Sequence, residues 1–376
     1  LEEEGCEIGH DHRLVLQTLI ATAGVDLGDK LATTFREAKR LAPPTYWSGA
    51  AAAEGGMVHR VPLARSDPVF LAIESAFLDS EADGGTVKCR AGGHANTSKD
   101  GCCWAGRNPM GLSRSQADVV AIERIENVAM WKPYAQSREL CRVRWQPDDV
   151  TLASGRHPAG PVPTSTCAVE PALRNAAGGT AVLSDSVNEM LLWHGTDAAL
   201  TGTILESGLD FRFAKSGGLY GQGTYFAEDS CKSNQYINRS GDGRSQQEGV
   251  TYELLLCRVA LGAAHKQRKA NAALKKPPQR RSNSALPYDS LIAGNWVTNR
   301  SGGQRHREFV VFVSPGVQVY PEFVIRFAYS NQSAAAKDAI LVEIAKGPQQ
   351  AVHALHYASA ALKADKDVVL AAVAQN

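Results

Sequence analysis

Three short segments of the chain carry side chains that could act together on one ligand. His194 ends the first segment, the second holds Tyr225, Ser233 and Tyr236, and Glu308 opens the third. Aromatic faces attract a cationic ring, imidazole and hydroxyl groups bind sugar hydroxyls, and a carboxylate stabilises positive charge that develops during a reaction. The residue types therefore fit a ligand that joins a cationic aromatic ring to a ribose.

Taken singly, these residues do not separate a binding site from ordinary structure. A histidine at a strand end is more often structural, although Gly195 after it would let the backbone approach a ligand closely. Ser233 and Tyr236, three positions apart, share one face of a short predicted helix and fit a packed helix end equally well. Glu308 could be a solvated strand start beside Arg307.

A glycine-rich run at residues 217–223 precedes Tyr225. No Lys-Ser or Lys-Thr pair follows it, and it leads into a predicted strand, so a phosphate-binding P-loop or a dinucleotide fingerprint is disfavoured. A loop that covers a ligand and a plain turn both remain open.

The elements around these segments predict a mixed α+β fold. Short apolar runs separated by turn residues indicate strands at residues 190–193, 224–227, 252–259, 309–313 and 323–327. Because the strands do not alternate regularly with helices, we expect a mostly antiparallel sheet arrangement rather than a doubly wound parallel sheet. A helix is expected after Ser66 as N-cap, with Pro68 in its first turn.

Composition shifts divide the chain into three predicted parts. Residues 1–60 are expected to form a short helical segment, with two helices at 9–41, and a linker. Residues 61–330 are expected to form the main domain, with a surface insertion at 82–116 and a connection at 153–180. Residues 331–376 are Ala-rich and predict a helical C-terminal extension.

Overall composition is that of an ordinary globular protein. The chain has 376 residues, 44% hydrophobic and 21% charged, with a net charge of +1. A net charge so close to zero produces no overall electrostatic attraction to nucleic acid or membranes. No apolar run is long enough for a membrane span. Eight scattered cysteines suggest reduced thiols and a nuclear or cytoplasmic setting. The acidic start is not a signal peptide, and the missing initiator Met suggests a fragment.

The segments share their order with a known family. The stretches 191–196, 221–236 and 308–313 appear together with further similar stretches at 121–134, 255–262, 288–294 and 318–327. Over residues 61–330 the chain resembles the catalytic domain of the poly(ADP-ribose) polymerases, the diphtheria-toxin-like ADP-ribosyltransferases, with tankyrases among the nearer members. The His-Tyr-Glu signature of that family falls on His194, Tyr225 and Glu308.

The resemblance implies a fold and an activity. It implies the ADP-ribosyltransferase fold, with two packed, mostly antiparallel sheets, peripheral helices and short helical segments at both ends. It also implies a glycosyltransferase of the pentosyltransferase class that uses NAD+ as substrate and protein side chains as acceptors. Transfer of single or repeated ADP-ribose units remains open.

The same resemblance assigns roles to individual residues. His194 would bind the adenine-side ribose, Gly195 and Ser233 the nicotinamide carboxamide, and Tyr225 and Tyr236 the two faces of the nicotinamide ring. Glu308 would bind the nicotinamide-ribose 2′-hydroxyl and stabilise the oxocarbenium character that develops when nicotinamide leaves. Arg212 completes the expected NAD+-binding set.

Departures from the family pattern are informative. Thr196 and Phe309 stand where Ser and Tyr are common. Residues 237–251 contain no Cys or His, so the small zinc site of tankyrases is expected to be absent. The N-terminal part has no room for the regulatory helical domain of the DNA-dependent members, so activation by DNA breaks within this chain is not expected.

Two further clusters suggest other ligands. The group Cys89, His94, Cys102 and Cys103 fits no standard zinc spacing, and we expect an insertion without metal there. Residues 265–281 carry seven Lys or Arg residues and no acid. This stretch is a solvated loop, a surface that faces an acceptor or nucleic acid, or a nuclear-import signal.

Three functions compete. The first is a protein ADP-ribosyltransferase, and the second is a catalytically inactive module that binds NAD+ or ADP-ribose and makes protein contacts. Intact Glu308 favours the first over the second. Transfer to nucleic-acid ends comes last, because the basic stretch alone supports it. We expect NAD+ and protein acceptors as partners, and no membrane.

Overall fold

The computed structural model describes the greater part of the predicted main domain. The described residues are 41–48, 58–78, 117–145, 149, 152, 169–180, 182–210, 218–234, 236–237, 250–280, 286–293, 307–312, 317–329, 340–357 and 366–375. The chain separates into two units, 1–43 and 44–376, and the features below belong to the second. Apart from residue 41, the helices expected at 9–41 lie outside the described residues, as does the insertion at 82–116.

A nine-stranded sheet forms the centre of the fold. Its strands in chain order are β1 (His59–Pro62), β2 (Ala117–Glu126), β3 (Glu189–His194), β4 (Thr224–Ala227), β5 (Thr251–Ala260), β6 (Ala264–Lys266), β7 (Ser290–Ala293), β8 (Glu308–Val311) and β9 (Val319–Tyr329). Their order across the sheet is β1-β2-β9-β5-β3-β4-β8-β7-β6. The β6–β7 pair is parallel and the other pairs are antiparallel, which confirms the α+β prediction.

The predicted fold has two packed, mostly antiparallel sheets, and the nine strands here form two such groups that hydrogen bonds join into one sheet. The connection between the two groups is narrow. Within the described part of the chain, only β3 and β4 join the two groups, through the single register pair of Trp193 and Ala227. The first group consists of β1, β2, β9, β5 and β3, and the second of β4, β8, β7 and β6. Side chains from both groups, including Leu192, Leu255 and Phe309, share one hydrophobic cluster. The two groups therefore pack on a common core while remaining one hydrogen-bonded sheet.

The α-helices with both ends in the described residues are α1 (Pro68–Phe77), α2 (Val128–Val143), α3 (Val169–Ala176), α4 (Ala198–Ser207), α5 (Ser230–Asn234), α6 (Pro348–Tyr357) and α7 (Lys366–Val373). A short 3-10 helix spans Asp185–Val187. The N-cap of α1 is Asp67 rather than Ser66, and its carboxylate accepts a hydrogen bond from the Val69 amide at 2.8 Å. Helix α3 lies inside the segment predicted as a connection. None of the helices in the described part could cross a membrane.

Helix α1 packs against both the end of β3 and the start of α5. Its apolar face buries Phe70, Ile73 and Phe77, which follow the helical spacing of its sequence. The Phe77 ring lies 5.7 Å from the Trp193 ring, and its carbonyl accepts a hydrogen bond from the Ser230 hydroxyl at 2.6 Å. One helix end thus fixes both the residue before His194 and the first residue of α5.

A buried ion network lies at the start of β3. The Arg258 guanidinium contacts Glu322 at 2.9 Å and Glu189 at 3.3 Å, and all three side chains are at most 1% exposed. Its Nη2 also donates to the Tyr46 hydroxyl, which in turn donates to Glu322. The Tyr134 hydroxyl donates to Glu189. Buried charges of this kind are stable when partners satisfy them.

The C-terminal helices form a separate cluster. Residues 340–344 are helical, and Ile344 packs with Ala351 of α6 and with Val368 and Ala372 of α7. The helical extension predicted from the Ala-rich sequence therefore contains helices. Its role as a distinct part of the chain stays a prediction.

Candidate active site

Glu308 and Tyr225 project from the same face of the sheet. Strands β4 and β8 pair in the register Tyr225–Val310 and Ala227–Glu308. Because side chains alternate along a strand, Tyr225 and Glu308 lie on one face and Phe226 on the other, where it joins the core. The sheet register therefore brings together two residues that are 83 positions apart in the sequence.

A buried lysine compensates the charge of Glu308. The Lys232 ammonium lies 2.8 Å from Oε1 of Glu308, and the two side chains are 9% and 4% exposed. Burial alone would lower the pKa of Lys232, but the Glu308 carboxylate and Tyr236 outweigh burial and raise it. Lys232 thus stays charged and holds a carboxylate that would otherwise be costly to bury.

Tyr236 completes this cluster. The Lys232 ammonium lies 5.4 Å from the centre of the Tyr236 ring, within the range of a cation–π interaction. Helix α5 ends at Asn234, so Tyr236 lies in the turn that follows rather than within the helix. Its backbone amide donates to the Ser233 carbonyl at 3.0 Å, so the two residues are close through this turn and not through a shared helix face.

His194 is oriented by the backbone of β4. Its Nδ1 lies 2.8 Å from the Tyr225 carbonyl oxygen. Since a carbonyl oxygen accepts hydrogen bonds, Nδ1 carries the proton and Nε2 is the acceptor of the neutral ring. Burial lowers the pKa of His194, and the hydrogen bond to Tyr225 opposes that shift in part. The ring is therefore neutral near pH 7, with Nε2 able to accept from a ligand hydroxyl.

Gly195 is required by a close contact with α5. A Cβ at this position would lie 1.9 Å from the Ser233 carbonyl oxygen, so no larger residue fits without movement. The Ser233 hydroxyl donates to the Trp193 carbonyl at 2.9 Å. Its oxygen can then accept a hydrogen bond but has no proton to donate to a ligand. The structure thus brings Gly195 and Ser233 together; their binding of a carboxamide stays a prediction.

The Tyr225 hydroxyl fastens the glycine-rich loop. It accepts from the Tyr220 amide and donates to the Gly221 carbonyl, both at 2.8 Å. Gly218 passes so close that a Cβ there would lie 2.5 Å from this hydroxyl. Burial raises the pKa of Tyr225, and nearby Glu308 raises it further. The hydroxyl therefore stays protonated, and the described part of the loop is a turn held against β4.

Six of the seven predicted site residues are brought together, and the seventh, Arg212, lies outside the described residues. Lys232 was not among the site residues predicted from the sequence. Its signal was its position four residues before Tyr236, which is a neighbouring position on a helical turn. The ion pair between Glu228 and Arg307 was also missed; it joins the end of β4 to the residue before Glu308.

Metal ligands are not grouped in the part of the chain that the structure describes: no cluster of three or more His, Cys, Asp or Glu side chains is placed to hold an ion. The group of Cys89, His94, Cys102 and Cys103 lies outside the described residues. The described cysteines Cys141, Cys231 and Cys257 are buried thiols.

The sequence around the candidate site matches a known protein family. The sequence profile of the poly(ADP-ribose) polymerase catalytic domain matches residues 107–329, which is more than half of the chain. The chain belongs to the poly(ADP-ribose) polymerase family. His194, Tyr225 and Glu308 all lie within the matched region. The resemblance predicted from the sequence is confirmed, and domains of this family use NAD+ as substrate.

Several curated relatives match parts of the chain. Human protein mono-ADP-ribosyltransferase PARP12 is 28% identical over 224 residues, which cover 59% of this chain and 24% of the relative. Mouse protein mono-ADP-ribosyltransferase PARP3 is 40% identical over 106 residues, covering 28% of this chain and 18% of the relative. Mouse protein mono-ADP-ribosyltransferase PARP11 is 29% identical over 154 residues, covering 38% and 43%. The chain thus spans less than half the length of each.

Proposed function

We propose that the chain is an NAD+-dependent ADP-ribosyltransferase that modifies proteins. The observation that carries this proposal is the placement of Glu308. Its buried carboxylate shares a sheet face with Tyr225 and contacts Lys232, whose ammonium in turn faces the Tyr236 ring. Two aromatic rings can hold a cationic aromatic ring between them, and a neighbouring carboxylate can stabilise the positive charge that develops on the ribose when this ring leaves.

Binding of NAD+ would use the groups that remain able to contact a ligand. Tyr236 and Tyr225 would flank the nicotinamide ring, and the Gly195 backbone would meet the carboxamide. The Ser233 oxygen would accept from the carboxamide nitrogen, because its own proton is donated to the Trp193 carbonyl. Nε2 of His194 would accept from a hydroxyl of the adenine-side ribose. Arg212 belongs to this proposal on the resemblance alone.

In the proposed reaction Glu308 lies beside C1′ of the nicotinamide ribose, the carbon at which one bond breaks and another forms. The bond between C1′ of the ribose and the nicotinamide nitrogen breaks, and the electron pair leaves with nicotinamide. The carboxylate stabilises the oxocarbenium character at C1′ and accepts the proton of the incoming acceptor nucleophile, which forms the new bond. Lys232 would hold the carboxylate in place throughout. In this proposal the enzyme is a pentosyltransferase.

The number of units transferred is a finer part of the proposal. The three relatives described above are named mono-ADP-ribosyltransferases, which favours transfer of single units. Labelled NAD+ followed by gel electrophoresis tests this directly. Single-unit transfer gives discrete bands whose mass rises by one ADP-ribose per site, whereas elongation gives a ladder.

Glu308→Gln is the deciding variant. The amide keeps the shape of the side chain but loses its charge, so transfer from labelled NAD+ should slow by about 10²–10³. The affinity for NAD+, measured by calorimetry, should change by only a few-fold. Glu206→Gln, which removes a carboxylate from an exposed position of α4, is the matched control and should transfer at the parent rate.

Equal transfer rates for Glu308→Gln and the parent would reject the proposal. The competing function, an inactive module that binds NAD+ or ADP-ribose, has its own outcome. In that case the parent protein binds NAD+ but neither labels protein nor releases nicotinamide.

A further inference from the structure

The loop between β6 and β7 is fixed against the glycine-rich turn of the candidate site. The Gln267 amide extends the sheet pairing by donating to the Ile292 carbonyl at 2.9 Å. Farther on, the backbone N–H of Asn271 donates to the Leu219 carbonyl at 2.9 Å, and the backbone N–H of Gln222 donates to the Leu274 carbonyl at 2.8 Å. Residues 267–280, named the basic loop below, therefore have a defined path.

Arg280 fixes the far end of the basic loop. Its guanidinium is 1% exposed and contacts Asp149 at 2.6 Å and Asp289 at 3.0 Å. Two carboxylates therefore neutralise this charge inside the protein. Arg280, which the sequence grouped with the basic cluster, is a structural residue and does not contribute to a positive surface.

Four other cations of the basic loop reach the solvent. Arg268, Lys269, Lys275 and Lys276 are exposed, and residues 264–280 contain no Asp or Glu. The ion pairs found among the described residues use none of these four. The pKa of Lys266 is lowered by burial and by the neighbouring Arg268 charge, as expected where positive charges are crowded.

The position of these charges relates them to the candidate site. The turn at residues 219–222 exchanges backbone hydrogen bonds with the basic loop, because Leu219 accepts from Asn271 and Gln222 donates to Leu274. The same turn is hydrogen-bonded to the Tyr225 hydroxyl. Tyr225 shares its sheet face with Glu308. The loop that carries the exposed cations is therefore hydrogen-bonded to the turn that contacts Tyr225, the neighbour of Glu308 on this sheet face.

We propose that the basic loop binds an acidic segment of the protein acceptor, next to the residue that receives ADP-ribose. Charge complementarity supports an anionic partner. A protein is favoured over single-stranded nucleic acid because residues 264–280 contain no Phe, Tyr or Trp, on which bases would stack. The inference rests on the proposed function, since it names the class of acceptor for the same site.

The test uses the double variant Lys275→Glu, Lys276→Glu and a fluorescent peptide rich in glutamate. Binding is measured by fluorescence anisotropy without NAD+. Reversal of two exposed charges replaces attraction with repulsion and should weaken binding by about tenfold at low salt. The matched control is Lys132→Glu, Lys366→Glu, which changes the net charge equally at exposed residues of α2 and α7 and should bind the peptide as the parent does.

Three outcomes would overturn the proposal. One is equal weakening of binding in the control and the loop variant, and another is equal affinity of the parent for a peptide with glutamine in place of glutamate. The third is binding of a single-stranded oligonucleotide, but not the acidic peptide, through Lys275 and Lys276. This last result would assign the loop to nucleic acid.

The experiment separates this inference from the proposed function. Peptide binding is read without NAD+ and does not depend on Glu308. A parent protein that transfers ADP-ribose but binds the acidic peptide as weakly as the loop variant refutes the inference alone. Peptide binding without any transfer refutes the proposed function alone. When both hold, the loop variant should also raise KM for an acidic acceptor protein.

Discussion

Two buried carboxylates of this protein, Glu189 and Glu308, differ in how fully the protein surrounds them. Glu189 opens β3 and is contacted by the Tyr134 hydroxyl, the Ser184 amide and the guanidinium groups of Arg138 and Arg258. For Glu308, the contact found within the described residues is the Lys232 ammonium. Both are at most 3% exposed, so burial does not distinguish them.

The number of described partners around each carboxylate distinguishes a structural role for Glu189 from the proposed catalytic role of Glu308. Burial alone would raise the pKa of Glu189, but its guanidinium and hydrogen-bond partners outweigh burial and lower it. A carboxylate whose acceptor positions are occupied stabilises the fold and has little capacity left for a ligand. Within the described residues, Glu308 contacts one cationic group, the Lys232 ammonium, and shares its sheet face with Tyr225, so we expect it to accept a hydrogen bond from a substrate.

Arg258→Met should have the largest effect, and it should act on stability. Removal of the guanidinium leaves Glu189 and Glu322 buried without their shared cation, at a cost of about 3–5 kcal/mol in the free energy of unfolding. Denaturant unfolding measures it. As a control, Arg174→Met breaks the exposed pair with Glu170 and should cost about 0.5 kcal/mol or less. A loss below about 1 kcal/mol for Arg258→Met would show that the network is not structural.

Gly195→Ala should damage the candidate site itself. The new methyl would overlap the Ser233 carbonyl, so the end of β3 or helix α5 must move, and NAD+ affinity should fall by more than about tenfold. The matched control is Gly202→Ala in α4, where a Cβ meets nothing within 4 Å. That substitution should leave NAD+ affinity unchanged and stabilise the protein by about 0.5–1 kcal/mol. Unchanged NAD+ affinity in Gly195→Ala would contradict the assignment.

Lys232→Met should reduce kcat more than it changes KM for NAD+. Without the ammonium, Glu308 loses its described cationic partner and its fixed position, and we expect transfer to slow by about tenfold or more. Lys232→Arg keeps the charge and should restore part of the rate. If Lys232→Met changed stability alone, with kcat preserved, the lysine would be structural like Arg258.

His194 should give the smallest effect, which appears as a pH dependence. Its pKa is lowered in the folded protein, so the unfolded chain takes up a proton first as the pH falls through about 6.5. The stability contributed by the neutral ring is complete above that pH and is lost progressively down to the folded pKa. Unfolding of the parent and of His194→Gln between about pH 8 and pH 5 isolates this contribution. Identical slopes for both proteins would refute the lowered pKa.

Much of the fold followed from local patterns in the sequence. The apolar runs around Leu192, Leu255 and Val324 form strands because alternation and turn residues are local signals. The continuity of the sheet was not predicted, because it depends on one pair, Trp193 and Ala227, between strands 34 positions apart. Helix α3 was missed because the Pro/Gly-rich composition of residues 153–180 suggested a connection.

In the candidate site, too, local motifs were predictable from the sequence and contacts between distant residues were not. Gly195, Ser233 and Tyr236 were recognised because they belong to short motifs whose spacing carries information. Lys232 lies within one of those motifs but was not singled out, because its importance depends on Glu308. Pairing of lysine with a carboxylate 76 positions away cannot be derived from the helix alone, since it requires the register of β4 and β8.

The types of the residues and their order along the chain were enough to predict the family and a set of NAD+-binding residues. Tertiary structure decided which charges are satisfied within the protein. Arg280 looked like part of a basic surface, yet Asp149 and Asp289 neutralise it, whereas Lys275 and Lys276 reach the solvent. The physical reason is that the electrostatic role of a charged group depends on its burial and on neighbours within a few ångströms, and folding brings those neighbours from distant parts of the chain.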